Sequence, residues 1–249
     1  RGLPGSIKER FQNAREAFTP KLKMMFTLSL VGFLGMGSWI YYVNNIKHEY
    51  ISSQQRELRA ANFEKKYGIY KDIPQPRIVS SNINLDLYPE TRDFEAAGSY
   101  ILTNKTAVPI DSIHIDHNNY ISEFEFNRDF ELVLEDDSMN YDIYQLAEPL
   151  MPGDSTLFTF ALSNNPNEIL KNRSFVRYNG TFINNSVFPR IGYQERGELS
   201  SREARERYNL PPKPRMAPLT DSTARMNNYI SSDADWIDFE TTISTSPEQ

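Results

Sequence analysis

An unbroken apolar segment is the strongest pattern near the start of the chain. Residues 24–46 contain no charged side chain over 23 positions, and about 20 helical residues span the hydrocarbon core of a bilayer. The aromatic residues Trp39, Tyr41 and Tyr42 lie toward one end, where they are typical of a membrane interface. A signal peptide has a shorter apolar region that ends in small residues. The pattern therefore predicts a transmembrane helix over 24–46.

Small residues recur at every third position of this segment, which would let a second helix approach closely. They are Ser29, Gly32, Gly35 and Ser38. Both a lone anchor and a helix packed in a larger bundle agree with this spacing.

The pattern becomes polar after the apolar segment. Residues 47–72 alternate charged side chains with scattered apolar ones and contain no proline. Their helix propensity is high, whereas Ile51, Leu58, Ala61 and Phe63 form only a weak helical stripe. Two prolines then remove backbone donors and favour extended geometry. We predict a helical stalk over 47–72 and a new domain from residue 73.

From residue 77 onward, apolar and polar positions alternate with the period of a β-strand. Ile83, Leu85 and Leu87 fall on one face, and the residues between them are polar, which is typical of a strand with one buried side. The alternation returns between turn-forming segments at 99–103, 112–116, 123–126, 130–134, 141–146, 155–162 and 175–178. The spacing predicts a mainly β domain over 73–249, built as an antiparallel β-sandwich or a saddle-like sheet.

A polar helix-loop segment at about 194–234 interrupts the β pattern. Ser200, followed three residues later by Glu203, predicts a capping box that starts one short helix. Residues 236–243 alternate again, with Ile237 and Phe239 on one face. They predict a last strand that rejoins the sheet.

Charge is distributed unevenly along the chain. Residues 1–23 carry six Arg or Lys side chains against two Glu, so the positive-inside rule places them in the cytoplasm and the β domain outside it. The net charge of −6 argues against a nucleic-acid partner. Zero cysteines exclude disulfides, thiolate metal sites and a cysteine nucleophile. Because the first residue is Arg1 rather than Met, we expect a piece of a longer polypeptide.

No self-contained active site is visible in the sequence. The HExxH, GxSxG and GxxxxGKS/T motifs are absent. A spacing of three places His114 and His117 on opposite faces of a strand, so these residues and Asp116 predict no metal site. The carboxylate pairs lie in turn or helix-start contexts and are predicted to be solvated: Asp136 with Asp137, and Glu195 with Glu198.

Three stretches carry a resemblance to a known family. NINLDLYPETRDFEAAGSYILTNKTAVPIDSIHI, VFPRIGY and ADWIDFETTISTSPEQ resemble parts of the N-terminal β domain of the aminopeptidase N-like zinc metallopeptidases. The acidic-proline continuation that usually follows the family's Phe-Pro pair is replaced here by residues 190–193, and an inserted segment separates the last two stretches. With a membrane span directly upstream, the chain is similar to Bacteroidetes proteins in which an ABC transporter permease is fused to such a peptidase-like domain.

This resemblance implies a membrane-anchored, non-catalytic β domain that shapes the peptide-binding side of a catalytic domain downstream. It implies the bacterial inner membrane, a periplasmic β domain, and as partners the permease helices, the peptidase domain and a peptide substrate. No cofactor is expected in this segment, and zinc is expected in the downstream domain. Where the family places a Gln or Glu near the peptide amine, this chain offers Asn179, Asn184 and Asn185.

Two questions stay open, and each has two possible answers. The three asparagines are either substrate-binding amides or loop amides that satisfy turn backbone. The domain itself is either part of a peptidase or a membrane-tethered periplasmic module that binds proteins or has a structural role in a permease. The residues alone do not separate these alternatives.

Overall fold

The computed structural model describes residues 6–48, 50–118, 120–164, 169, 174–177, 180–214, 216–222, 224–226 and 231–246. The helices before residue 51 belong to one compact unit, and the elements from residue 51 onward belong to a second.

The first unit contains two helices, α1 (Ile7–Glu16) and α2 (Pro20–Tyr42), and a π-helical turn follows at Val43–Lys47. Thr19 caps α2, and Pro20 occupies the first helical position, where its missing N–H costs nothing. None of the residues of α2 is buried. Among the described residues, one helix, Pro20–Lys47, is long and apolar enough to cross a membrane. The predicted apolar helix is thereby confirmed as an element.

The second unit begins with helix α3 (Ser53–Tyr67). The Ser52 hydroxyl oxygen accepts a hydrogen bond from the backbone N–H of Gln55, and the Gln55 side-chain oxygen accepts one from the backbone N–H of Ser52. This capping box explains why the helix begins there. The predicted helical stalk is confirmed, but one face of it is packed on the β domain: Phe63 and Tyr67 lie in a cluster with Tyr141 and Tyr193.

Nine strands among the described residues form two sheets. They are β1 (Arg77–Tyr88), β2 (Asp93–Thr103), β3 (Ile110–Asp116), β4 (Ile121–Phe126), β5 (Phe130–Asp136), β6 (Tyr141–Leu150), β7 (Ser155–Ser163), β8 (Arg190–Ile191) and β9 (Ala234–Thr245). Sheet A has the order β4-β7-β2-β1-β9, and sheet B has the order β5-β6-β3-β8. All pairs are antiparallel except β1 with β9. The predicted mainly β fold is confirmed.

The main core draws on buried side chains from both sheets. On β1 the predicted face is correct, since Ile83 and Leu85 are buried while Asn82 and Asn84 are exposed. Gly98 of β2 is required by close packing, because a Cβ atom there would stand 2.5 Å from Cζ of Phe160. The aromatic ring occupies the space that a side chain would need.

The predicted strand at 175–178 is wrong for the residues that the structure describes, 174–177. The backbone N–H of Val176 donates to the Ser174 hydroxyl, and that of Arg177 donates to the Thr181 hydroxyl. These local bonds take the place of a strand ladder, although Val176 is fully buried in the core.

The short polar helix α4 (Arg202–Arg207) is present, but its predicted cap is displaced by one residue. Ser201, not Ser200, accepts the hydrogen bond from the backbone of Ala204, and its hydroxyl donates to Glu203. Both serines suit an N-cap, so the local pattern did not choose between them.

Candidate functional site

A groove of about 530 Å³ lies where β1 and β9 of sheet A face the segment that leads into β8. Sheet B ends at β8, which is only two residues long, whereas β9 continues for twelve. The apolar face of β9 therefore extends beyond the cover of sheet B. The apolar lining consists of Ile78, Ile83, Tyr100, Ile183, Phe188, Pro189, Ala234, Ile237 and Phe239.

A short 3-10 helix, Asn185–Val187, builds one wall of the groove. Asn184 precedes it, and its side-chain oxygen accepts from the backbone N–H of Ser186 at 2.9 Å and from the Ser186 hydroxyl at 2.6 Å. Val187 and Phe188 then turn into the core. The wall is held by a local cap together with buried apolar side chains.

Asp233 joins three strands at the base of the groove. Its Oδ2 accepts from the backbone N–H of Ile191 at 3.0 Å, and its carbonyl accepts from the N–H of Ile78 at 2.8 Å. The Ser231 hydroxyl donates to its other carboxylate oxygen. Asp233 therefore fixes β8 and β9 to the start of β1, and its buried carboxylate is satisfied by these donors.

Two buried groups define the electrostatics around the groove. Burial, with a smaller contribution from the nearby Asp233 carboxylate, raises the pKa of the Tyr100 phenol far above its usual range. Burial also raises the pKa of Asp116, and Arg190 opposes part of that effect through a side-chain ion pair. The tyrosine therefore presents a neutral hydroxyl.

Two of the three predicted site residues, Asn184 and Asn185, line this groove and are exposed. The third, Asn179, lies outside the described residues. Asn184 has the turn-capping bonds that the second reading of the asparagines anticipated. The binding role of the three residues remains a prediction.

Solved structures that resemble part of this chain are M1 zinc metallopeptidases. A mutant two-domain enzyme bound to L-arginine matches 37% of this chain and 21% of its own at 14% identity, with a TM-score of 0.31. The M1 zinc metallopeptidase from Deinococcus radiodurans matches 39% of this chain and 22% of its own at 13% identity, with a TM-score of 0.31. No protein-family profile and no curated protein matches the chain.

The likeness is confined to part of the fold and carries no residue role. The chain spans about a fifth of the length of these structures.

The two strand histidines engage different partners. His114 Nδ1 lies 2.8 Å from the Tyr141 hydroxyl, whereas His117 Nε2 lies 3.4 Å from Asp142. Burial lowers the pKa of His114 to about 4. Burial is the largest single influence and would lower the pKa of His117, but the combined effects of Asp142, the Asn118 carbonyl and the Asp116 charge exceed it and raise the pKa. Among the described residues, no group of three or more His, Cys, Asp or Glu could hold a metal ion.

The predicted solvation of the carboxylate pairs is wrong for one member of each. The Asp136 carboxylate is largely buried and accepts from Lys66 at 2.6 Å and from the Tyr67 hydroxyl. The Glu198 side chain is only 7% exposed, and it accepts from the Tyr193 hydroxyl at 3.0 Å. Burial alone would raise the pKa of Asp136, but hydrogen bonds led by that from Lys66 hold it far below its usual range.

The contacts of Asp136 come from the docking of α3. Lys66 and Tyr67 belong to α3, which packs against the β domain and brings its own polar side chains with it. The Asp136 carboxylate therefore contributes to docking the helix.

Asp233 and Tyr100 are the groove residues that sequence reasoning missed. Asp233 lies in a serine- and aspartate-rich loop, where a solvated carboxylate is the ordinary expectation. Its role depends on contacts with Ile78 and Ile191, both more than forty residues away in sequence. No local signal could have identified it.

Proposed function

We propose that this chain is the membrane-anchored, non-catalytic N-terminal β domain of an aminopeptidase-like zinc metallopeptidase that is fused to a transporter permease. One observation carries the proposal: the stretches of sequence that resemble the peptidase family converge on one groove. Ile83 and Tyr100 come from the first stretch, Phe188 from the second, and Phe239 from the third.

The groove has the character of a peptide-binding surface. It combines an apolar lining with a few polar groups at defined positions, as small-ligand sites do. Asn185 lies on its rim, and an amide oxygen there can accept a hydrogen bond from a peptide ammonium group. We propose that the groove shapes the amine side of a substrate whose scissile bond lies in the catalytic domain.

Zinc belongs, in this proposal, to the catalytic domain and not to the present chain. The described residues offer no set of three metal-ligating side chains. Zinc in such a domain would activate water for hydrolysis. The residues described here would only bind and orient the peptide.

The membrane anchor of the proposal is α2. Its exposed apolar length suits a bilayer, and Lys21 and Lys23 on its N-terminal side favour the cytoplasm. We propose that the β domain lies in the periplasm of a bacterial cell. A reporter that is active only outside the cytoplasm should be active when fused after Gln249, and activity of a cytoplasm-only reporter there would refute this topology.

The experiment on function uses the whole polypeptide that the gene encodes. It should hydrolyse aminoacyl reporter substrates, lose activity to a zinc chelator and regain it when zinc is added. Asn185→Ala should raise KM several-fold with little change in kcat, because it removes a contact to the bound substrate. The matched control is Asn84→Ala, because Asn84 is an exposed asparagine on the other face of sheet A.

The main alternative is a membrane-tethered module that binds another envelope protein. The exposure of β9 favours it, since Trp236 is 96% and Phe239 61% exposed, and exposed apolar groups of this kind mark interaction surfaces. A whole polypeptide without zinc-dependent hydrolysis would support this alternative and exclude the peptidase proposal.

A further inference from the structure

Helix α1 has an apolar face that is exposed to solvent. Ile7 is 85% and Phe11 78% exposed, and α1 buries no residue. At about 100° per residue, Phe11 lies about 40° from Ile7, and Ala14 lies about 20° from it on the other side. The three side chains form one narrow stripe along the helix, the arrangement of a surface-seeking amphipathic helix.

Basic side chains border this stripe on both sides. By the same angular spacing, Arg10 lies about 60° to one side of Ile7, and Arg15 and Lys8 lie about 80° to 100° to the other. Glu9 and Glu16 fall on the opposite face of α1, about 160° to 180° away. The cations can thus contact the polar edge of a surface that buries the apolar stripe, and the acids lie on the face of α1 that is turned away from such a surface.

Helix α1 leads directly into α2. Three residues, Ala17 to Thr19, separate them, and the ring of Phe18 meets that of Phe26 edge-on at a centroid distance of 5.7 Å. Lys21 and Lys23 follow in the first turn of α2. The amphipathic helix therefore begins at the basic end of the proposed membrane span.

We propose that α1 lies in the plane of the cytoplasmic membrane surface and binds anionic lipid headgroups. In that position Ile7 and Phe11 enter the boundary between headgroups and acyl chains, and Lys8, Arg10 and Arg15 contact lipid phosphates. This inference rests on the proposed membrane span of α2. A lipid surface is favoured over a protein partner because cations border the stripe on both sides while both acids of α1 lie opposite it.

The experiment uses the whole chain in lipid vesicles and exploits its lack of cysteine. Single variants Ala14→Cys, Gln12→Cys and Phe33→Cys are labelled with an environment-sensitive fluorophore. Gln12, opposite the stripe, is the matched control, and Phe33 reports on α2. The vesicles contain either phosphatidylcholine alone or phosphatidylcholine mixed with phosphatidylglycerol, and iodide is present on both sides as the aqueous quencher.

We expect the label at position 14 to be protected from iodide several-fold better than the label at position 12. Nitroxide attached near the lipid headgroups should quench it. The protection should increase with phosphatidylglycerol, weaken with salt, and be lost when Lys8, Arg10 and Arg15 are all changed to Glu.

The outcomes separate this inference from the proposal on which it rests. Iodide access at position 33 would refute the membrane span itself. If the label at position 33 is protected from iodide while the labels at positions 12 and 14 are quenched equally, the membrane span stands and the proposed surface helix is overturned. Protection at 14 that ignores lipid charge and grows with protein density would identify a second copy of the chain as the occupant, and would equally overturn the lipid assignment.

Discussion

At the scale of single residues, steric fit decides which residue can occupy position 98. The Cβ atom of an alanine there would stand 2.5 Å from Cζ and 2.9 Å from Cε2 of Phe160, so the buried ring would have to move. We expect Gly98→Ala to reduce the free energy of unfolding by about 1 to 3 kcal/mol. Urea denaturation of the chain in detergent micelles measures the loss.

Gly68→Ala is the control for that substitution. Gly68 has φ of −59°, and a Cβ atom added there would stand 4.0 Å from the Tyr193 hydroxyl oxygen, which is ordinary van der Waals contact. Its alanine variant should match or slightly exceed the parent in stability. Equal losses at both positions would contradict the role of the Phe160 ring.

His114 should make the protein sensitive to acid. It is buried between the Tyr141 and Ser112 hydroxyls, with the Tyr70 ring at 4.8 Å, and burial lowers its pKa to about 4. Between pH 6.5 and 4 the unfolded chain binds a proton that the folded chain excludes, so stability falls as pH falls. The loss attributable to His114 from pH 7.5 to pH 5 should be about 2 kcal/mol.

Urea denaturation of the parent and of His114→Gln at both pH values measures this contribution. The variant should lack that part of the pH dependence, whatever its stability at pH 7.5. His117 affects stability in the opposite direction, because folding raises its pKa. Its contribution to the free energy of unfolding is complete below about pH 6.5 and is lost as the pH rises through the folded-state pKa. Identical pH dependence in parent and variant would mean that His114 titrates normally in the fold.

At the scale of elements, a buried ion pair connects α3 with α4. Arg205 donates to both Glu64 carboxylate oxygens, at 2.9 Å and 2.6 Å, and also to the carbonyls of Leu199 and Pro211. Its side chain is 4% exposed. Arg205→Ala should cost about 3 to 5 kcal/mol, because Glu64 would keep a largely buried charge without its partner.

The contrast is with an exposed pair on the same helix, Arg202 and Glu206. Arg202→Ala should leave the denaturation midpoint nearly unchanged, because exposed pairs of this kind contribute little. Comparable losses for the two arginine variants would show that the Glu64 contact does not hold the helices together.

The register of β1 is testable with neighbouring substitutions on its two faces. Leu85 is buried at 6% exposure, and Asn84 is exposed. Leu85→Asp should abolish cooperative melting by forcing a carboxylate into the core, whereas Asn84→Thr should melt like the parent. Similar melting curves for the two variants would show that the assigned register of β1 is wrong.

The strands were predictable because alternation is a local signal. Ile83 and Leu85 reveal the buried face of β1 without knowledge of any partner. The docking of α3 was not predictable, since the partners of Phe63 and Tyr67 are Tyr141 and Tyr193, which are remote in sequence. The same distinction decides which residues of the candidate site could be predicted. Asn184 and Asn185 lie beside a recognisable Phe-Pro pair, whereas the role of Asp233 depends on contacts with residues remote in sequence.

At the scale of the whole molecule, binding surface and catalysis are expected to lie in different parts of the protein. The 249-residue chain contains none of the HExxH, GxSxG and GxxxxGKS/T motifs, and its described residues contain no cluster of three or more side chains that could hold a metal ion. We expect the purified chain alone to leave aminoacyl reporter substrates intact, with or without zinc. Zinc-dependent cleavage that persists after contaminating peptidases are removed would reveal a site in this chain.

The pairing of β1 with β9 has a consequence for the order of folding. These neighbouring strands are far apart in the chain, since the bond from Asn82 to Glu240 spans 158 residues. During synthesis, β2 can close one edge of β1 early, but the other edge stays open until β9 emerges. Such an edge can recruit a strand from another chain. Interrupted synthesis or cleavage before Ala234 would therefore yield a product prone to aggregate.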